Sequence, residues 1–142
     1  IEQARLDERL RVEVNLQPAC LSHALPCLAL LGLIENAIKH GIAPDPRGGT
    51  LVITAAEVEG SERWELRVGN SVAAGPQARS EGARMGLANL RERLRLSYGE
   101  RARLDVLRCG EAARPGTSPT SGAEMSEKPW HLVQLQLPTV LA

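Results

Sequence analysis

The order of hydrophobic periodicities along the chain restricts the folds that it can adopt. Segments in which apolar and polar residues alternate predict strands, and segments with an apolar residue every three to four positions predict helices. The predicted strands are residues 11–16, 50–58, 63–68, 103–107 and 130–138, and the predicted helices cover about 26–40 and 85–99. This order predicts an α/β two-layer sandwich, in which a mixed β-sheet is covered on one face by helices.

Length and composition fit one globular domain and argue against several classes of protein. A chain of 142 residues with 43% hydrophobic residues can bury a core, so we do not expect a disordered protein. The 17 basic and 17 acidic residues give no net charge, which gives no support to nucleic-acid binding. The three cysteines form no CxxC pair and have no metal-ligand spacing to the histidines, so we expect free thiols. No run of about 20 apolar residues predicts a membrane span.

The predicted first helix has two chemically different sides. On a helical projection, the apolar arc contains Leu30, Leu31, Leu33, Ile34, Ala37 and Ile38, and the opposite arc gathers Glu35, Asn36, Lys39 and His40. Asn and His are poor helix formers, whereas an ordinary solvated face favours Lys, Glu, Arg and Gln. An amide oxygen can bind Mg²⁺, and lysine and histidine can neutralise phosphate charge. The polar side is therefore either a solvated face or a site for a magnesium-bound phosphate ligand.

The second helix and the segments beside it are consistent with the same ligand. Gly82 and Gly86 lie at a predicted loop-to-helix junction, where backbone N–H groups can approach a phosphate and the helix dipole favours negative charge. From Asn70 to Arg84 the chain is small, polar and glycine-bearing, which predicts a mobile loop. Residues 109–128 lack a periodic apolar pattern and are predicted to be a disordered insertion.

These motifs resemble those of a known family. The sequence LIENAIKHGI (33–42) closely resembles the N box of LytS-type sensor histidine kinases, within the wider GHKL ATPase superfamily. The sequence GLANLRERLRLSYG (86–99) resembles the second glycine box of that family and its helix. The order of GGTLVI (48–53), the strand ending at Val68 and VQLQLP (133–138) also matches. The resemblance covers roughly 8–138 apart from the insertion, and it implies an ATP-binding catalytic domain with a Bergerat-type ATPase fold.

The resemblance also implies roles for individual residues. Asn36 would coordinate Mg²⁺ against the triphosphate of ATP, and Glu35 would act as a base or position a water. Lys39 and His40 would approach the phosphates. The further nucleotide contacts would come from Asn70, Gly82, Arg84, Gly86, Leu87 and Asn89, with residues 71–84 forming the ATP lid. Positioning and charge neutralisation carry most of the catalysis of phosphoryl transfer.

Four positions depart from the pattern of the family. Asn70 stands where the family has an Asp that accepts a hydrogen bond from the adenine amino group, and Val72 and Ala74 replace glycines. The oxygen of Asn70 can still accept that hydrogen bond, but it is uncharged, so recognition weakens by about 1 kcal/mol. Arg84 stands where glycine is common, and its side chain either crowds the phosphates or helps to hold them.

The resemblance implies a larger protein around this chain. Residues 1–9 would be the end of a linker helix from an upstream dimerisation region that carries the phosphoacceptor histidine, and 10–142 would be the catalytic domain. The γ-phosphoryl group of ATP would pass to that histidine and then to a response regulator. The full-length protein would be a homodimer, with this part the cytoplasmic domain of a bacterial inner-membrane sensor. The alternatives are a degenerate GHKL domain that binds nucleotide weakly and serves as a regulatory or interaction module, or another GHKL ATPase.

Overall fold

The chain folds into one mixed β-sheet and two α-helices in the part that the structure, a computed structural model, describes: residues 9–25, 28–72, 81–109 and 130–139. The strands are β1 (Leu10–Leu16), β2 (Gly49–Val58), β3 (Arg63–Ser71), β4 (Arg103–Cys109) and β5 (Trp130–Pro138). The helices are α1 (Ala29–Asn36), which continues into a π-helical turn at Ala37–Ile42, and α2 (Glu81–Tyr98). Short 3₁₀ helices cover Pro18–Ser22 and Gly99–Arg101.

The strands lie in the order β1-β2-β3-β5-β4. β1 runs parallel to β2, and every other neighbouring pair is antiparallel. In the register of the sheet, Ile53 on β2 lies opposite Val68 on β3, which lies opposite Val133 on β5. The chain can make the parallel pair because α1 lies in the long connection between β1 and β2. The mixed sheet agrees with the sequence prediction.

Both helices pack on the same face of the sheet. A buried cluster lies between the helices and the sheet. The strands contribute Leu51, Ile53, Ala55, Trp64, Leu66, Val68, Leu104, Val133, Leu135 and Leu137. The helices and the π turn contribute Ala29, Leu33, Ala37, Ile42, Leu87, Leu90, Leu94 and Tyr98. The strand members alternate along each strand, as side chains on one face must. The predicted two-layer α/β sandwich is therefore confirmed.

β1 is more exposed than its sequence predicts. Its alternating Val12, Val14 and Leu16 predict a half-buried strand, but Val12 and Val14 are 53% and 58% exposed. They lie opposite Leu51 and Ile53, so they share the face of the sheet that carries the core. β1 is an edge strand, however, and the described residues leave this part of the face open.

The helix boundaries also differ from those predicted. The helical path of α1 continues through Ile42 instead of ending before Gly41. α2 begins at Glu81, so Gly82 and Gly86 lie within the helix and not before it. No helix of the described segments is long and apolar enough to cross a bilayer.

Three predicted segments fall wholly or partly where the structure gives no description. The predicted linker helix lies outside the described residues except for its last position, and the predicted insertion lies outside them except for Cys109, the last residue of β4. Of the predicted lid, Ser71 belongs to β3 and 81–84 belong to α2, whereas 73–80 lie outside the described residues.

Candidate nucleotide-binding site

The polar side of α1 is exposed or half-buried, as its sequence predicts. Glu35 and Lys39 are exposed, and Asn36 and His40 are half-buried. On the opposite side, Leu33 and Ala37 are buried in the core, and Leu30, Ile34 and Ile38 pack against it. Leu31 is the exception, because this residue of the predicted apolar arc is half exposed. The apolar side of the helix thus anchors it in the core, and none of the four polar residues is buried.

The helix changes its winding inside this polar segment. The π-helical turn begins directly after Asn36, and the N–H of Ala43 donates to the carbonyl of Ile38 at 2.7 Å, five residues earlier. Lys39 and His40 lie within this wider turn. Single π-helical turns are rare and occur frequently at functional sites. Sequence reasoning did not predict the turn, because the apolar periodicity of the segment fits an ordinary α-helix.

Asn70 lies in a strand and not in the loop that its sequence context predicts. It is the penultimate residue of β3, between Leu51 of β2 and His131 of β5. Its side chain is buried, with 2% of the residue exposed, and its Nδ2 donates to the carbonyl of Ser71 at 3.2 Å. Because a carbonyl only accepts, this bond fixes which end of the amide is nitrogen and leaves Oδ1 as the acceptor.

The structure brings Asn70 against the end of the π turn. A Cβ atom placed on Gly41 would lie 2.1 Å from Nδ2 of Asn70 and 2.8 Å from its Cγ. Such distances are far shorter than a van der Waals contact, so a side chain at this position would force the Asn70 amide to move. In the sequence, Gly41 stands directly after the predicted end of the first helix. The contact joins the predicted phosphate-binding segment to the predicted base-binding residue.

A second close contact holds the residue after Asn70. The hydroxyl of Ser71 accepts a hydrogen bond from the backbone N–H of Thr50 at 2.9 Å. A Cβ atom on Gly49 would lie 2.5 Å from that hydroxyl oxygen. Asn70 and Ser71 therefore form a buried polar pair, and each packs against a glycine of a neighbouring element.

The loop after the π turn is fixed to the start of β1. The guanidinium of Arg9 donates to the carbonyls of Asp45 and Pro46 at 3.2 and 2.7 Å. The carbonyl of Arg9 accepts the N–H of Gly49 at 3.1 Å. Asp45 is itself buried, and its Oδ1 accepts the N–H of Arg47 at 2.9 Å. Sequence reasoning missed Asp45, although an Asp followed by Pro, Arg and two glycines is a typical turn signal.

The remaining predicted residues lie on α2, which contacts α1. Leu87 is buried in the core, whereas Gly86 and Asn89 are exposed. Gly82 and Arg84 belong to the first turn of α2, and their side-chain surroundings lie outside the description. The structure thus brings Gly41 of the π turn against Asn70, and α2, which carries the glycine motif, contacts α1.

Chemically reactive groups elsewhere in the described residues do not form a second centre. No group of three or more His, Cys, Asp or Glu residues there could hold a metal ion. Cys20 is a buried free thiol, as predicted, whereas the side chains of Cys27 and Cys109 lie outside the description. His23 contacts Glu57 through Nε2 at 2.9 Å, and its ring packs near Trp64.

Comparison with known proteins gives relatives of one kind. No family model matches the chain. Over 106 residues, 70% of the chain, it is 34% identical to the sensor histidine kinase YpdA of Escherichia coli. It is 31% identical over 101 residues to the sensor histidine kinase YesM of Bacillus subtilis. The chain spans 19% and 18% of the lengths of these two relatives.

Solved structures of histidine kinases share the fold of this chain. The catalytic domain of the histidine kinase ThkA superposes with a TM-score of 0.55 over 99% of this chain and 90% of that domain, at 12% identity. The histidine kinase AdeS of Acinetobacter baumannii gives 0.53 over 96% of this chain and 58% of that chain, at 16% identity. The chain is thus related in sequence to sensor histidine kinases and has the fold of a histidine kinase catalytic domain.

Proposed function

We propose that this chain is the Mg-ATP-binding catalytic domain of a LytS-type sensor histidine kinase. The observation that carries the proposal is the contact between Gly41 and Asn70, because it places the π turn that carries Lys39 and His40 against a buried amide at the end of β3. A nucleotide needs such a pair of neighbouring surfaces, one for phosphate charge and one for a base edge. The sequence relation to sensor histidine kinases over 70% of the chain supports the same conclusion.

In this proposal the two ends of ATP meet different elements. The adenine amino group donates to Oδ1 of Asn70, the acceptor left by the bond from Nδ2 to Ser71. The phosphates lie along the exposed side of α1, where Lys39 and His40 offset their charge. The first turn of α2, with Gly82, is a second phosphate contact, because free N–H groups at a helix N-terminus favour anions.

The residues present fit a magnesium ion that takes most of its ligands from ATP and water. Asn36 is half-buried at the junction of α1 and the π turn, and its amide oxygen is a suitable hard ligand. The described residues contain no acidic cluster that would form a cage for a metal without help from a ligand. Bound Mg²⁺ would supply charge neutralisation on the phosphates. Glu35, exposed beside Asn36, is the proposed base or water-positioning group.

The rest of the reaction needs partners beyond this chain. The γ-phosphoryl group would go to a histidine on an upstream dimerisation helix of the same protein and from there to a response regulator. The complete protein would be a homodimeric inner-membrane sensor with this domain in the cytoplasm. Because no acceptor motif occurs in the sequence, we expect the chain alone to bind ATP without labelling itself from the γ-phosphate.

Calorimetric titration with ATP, with and without Mg²⁺, tests this function. We expect Mg²⁺ to strengthen ATP binding, and Asn36→Ala to weaken Mg-ATP binding at least about tenfold, since one oxygen ligand of the metal is lost. Asn15→Ala is the matched control, because it makes the same chemical change at an exposed position of β1. Wild-type protein that is folded but shows no ATP binding would favour the degenerate regulatory module instead. Binding that is unchanged in Asn36→Ala would remove Asn36 from its role.

A further inference from the structure

We propose that Gly41 is a positioning residue for base selection. The space left by its missing side chain holds the amide of Asn70 in the one orientation that selects a 6-amino purine over a 6-oxo purine. This inference rests on the proposed function and adds to it a residue that had no predicted ligand role.

The polarity of the Asn70 amide is set by its neighbour. The carbonyl of Ser71 accepts the hydrogen bond from Nδ2 at 3.2 Å, and a flipped amide would put two acceptor oxygens against each other. In the proposed complex, Oδ1 is therefore the atom of the amide that meets the purine. A 6-amino group donates to this oxygen, whereas a 6-oxo group presents a second acceptor and leaves both oxygens without a hydrogen.

The amide is confined by the elements around it. The backbone of Asn70 is paired on both sides, with Leu51 and with His131, so the strand cannot shift by itself. The π turn is equally fixed, because Ile42, the residue after Gly41, is completely buried in the core. Neither backbone can move away without losing strand pairing or core packing.

A side chain at position 41 must therefore displace the amide itself. The Cβ atom of an alanine would stand 2.1 Å from Nδ2 of Asn70, and the amide can restore a normal distance only by turning away. Turning breaks the bond to Ser71 and removes the preference for which end faces the ligand. The triphosphate contacts proposed for Lys39 and His40 do not depend on that bond.

Binding of Mg-ATP compared with Mg-ITP by calorimetry tests the proposal, because the two nucleotides carry the same triphosphate and differ at the 6-position of the purine. We expect wild type to favour ATP about tenfold, which is the effect of one unmatched hydrogen-bonding pair. Gly41→Ala should bring this ratio close to one. Gly32→Ala is the matched control, because Gly32 lies on α1 and a Cβ atom placed on it would meet no atom within 4 Å. It should keep the wild-type ratio.

A second set of variants covers the case in which Gly41→Ala does not fold. Asn70→Ala removes the atoms that the new Cβ would strike, so the double variant with Gly41→Ala should fold and show the same ratio near one as Asn70→Ala alone. A folded Gly41→Ala that keeps the tenfold preference overturns the inference while the proposed function stands. A double variant that stays unfolded overturns it as well. Wild type that binds neither nucleotide overturns the proposed function itself.

Discussion

Alanine at Gly48 and at Gly60 should destabilise the protein to very different degrees. Both glycines have a left-handed backbone, with φ of +76° and +75°. A Cβ atom on Gly60 would meet open space, whereas one on Gly48 would lie 2.2 Å from the carbonyl oxygen of Arg9. The pair therefore separates the cost of the backbone conformation from the cost of the contact.

The expected magnitudes follow from the contacts of each turn. Alanine at positive φ destabilises the folded state by about 1–2 kcal/mol. Alanine also lowers the conformational entropy of the unfolded chain, which stabilises the protein by about 0.4–1 kcal/mol. Gly60→Ala should therefore lower the free energy of unfolding by about 1 kcal/mol. At Gly48 the start of β1 must also move away. That movement weakens three hydrogen bonds of Arg9, to Asp45, Pro46 and Gly49, at about 1 kcal/mol each. Because the movement weakens these three bonds without breaking all of them, Gly48→Ala should lower the free energy of unfolding by about 3 kcal/mol in total.

Urea denaturation followed by circular dichroism measures both values. On the thermal scale we expect the melting temperature to fall by roughly 9 °C for Gly48→Ala and about 3 °C for Gly60→Ala. Equal losses for the two variants, within about 0.5 kcal/mol, would show that Arg9 does not fix the loop to β1. A loss at Gly60 larger than at Gly48 would refute the reasoning altogether.

Two further predictions concern the core. Leu135→Ala should lower the free energy of unfolding by about 2–5 kcal/mol, because Leu135 is 0% exposed, whereas Leu96→Ala, at a residue 70% exposed, should change it by less than about 0.5 kcal/mol in the same urea titration. Burial, together with the Glu57 carboxylate, raises the pKa of the Cys20 thiol. The unfolded chain then loses this proton first, so stability should fall as pH rises above the ordinary thiol pKa, and the fall should be smaller in Cys20→Ala.

The Leu135 and Cys20 predictions have different controls. If Leu96→Ala costs as much as Leu135→Ala, the assignment of the core to one face of the sheet is wrong. For Cys20, the comparison is between slopes of stability against pH, since the alanine variant also loses packing at every pH. Identical slopes in the two proteins would contradict a raised thiol pKa.

The fold could be predicted from sequence because each element carries its own periodicity. Leu87, Leu90, Leu94 and Tyr98 recur at helical spacing, and all four are buried as predicted. β1 shows what periodicity alone does not predict. Alternation tells which side chains share a face, but it does not tell whether another element covers that face.

The candidate site could be predicted only where its signal is local. The two-sided composition of α1 is visible in the sequence, and the structure confirms it in Glu35 and Lys39, which are exposed, and Leu33, which is buried. The role of Gly41 could not be predicted. A glycine near a helix end most often marks the end of the helix, and only the approach of β3 in three dimensions gives it another reason. The π turn escaped prediction for the same reason, since nothing in a 3.6-residue period reveals it.

The crossover between the parallel strands has a consequence for how the protein acquires its shape. β1 and β2 can pair only once the chain between them has turned back over the sheet, and α1 is the helix that makes this return. Contacts between distant parts of a chain form late, because the entropy of closing the connection must be overcome first. The β1 edge of the sheet and the polar end of α1 belong to the same crossover, so we expect pairing of this edge to be a late step of folding.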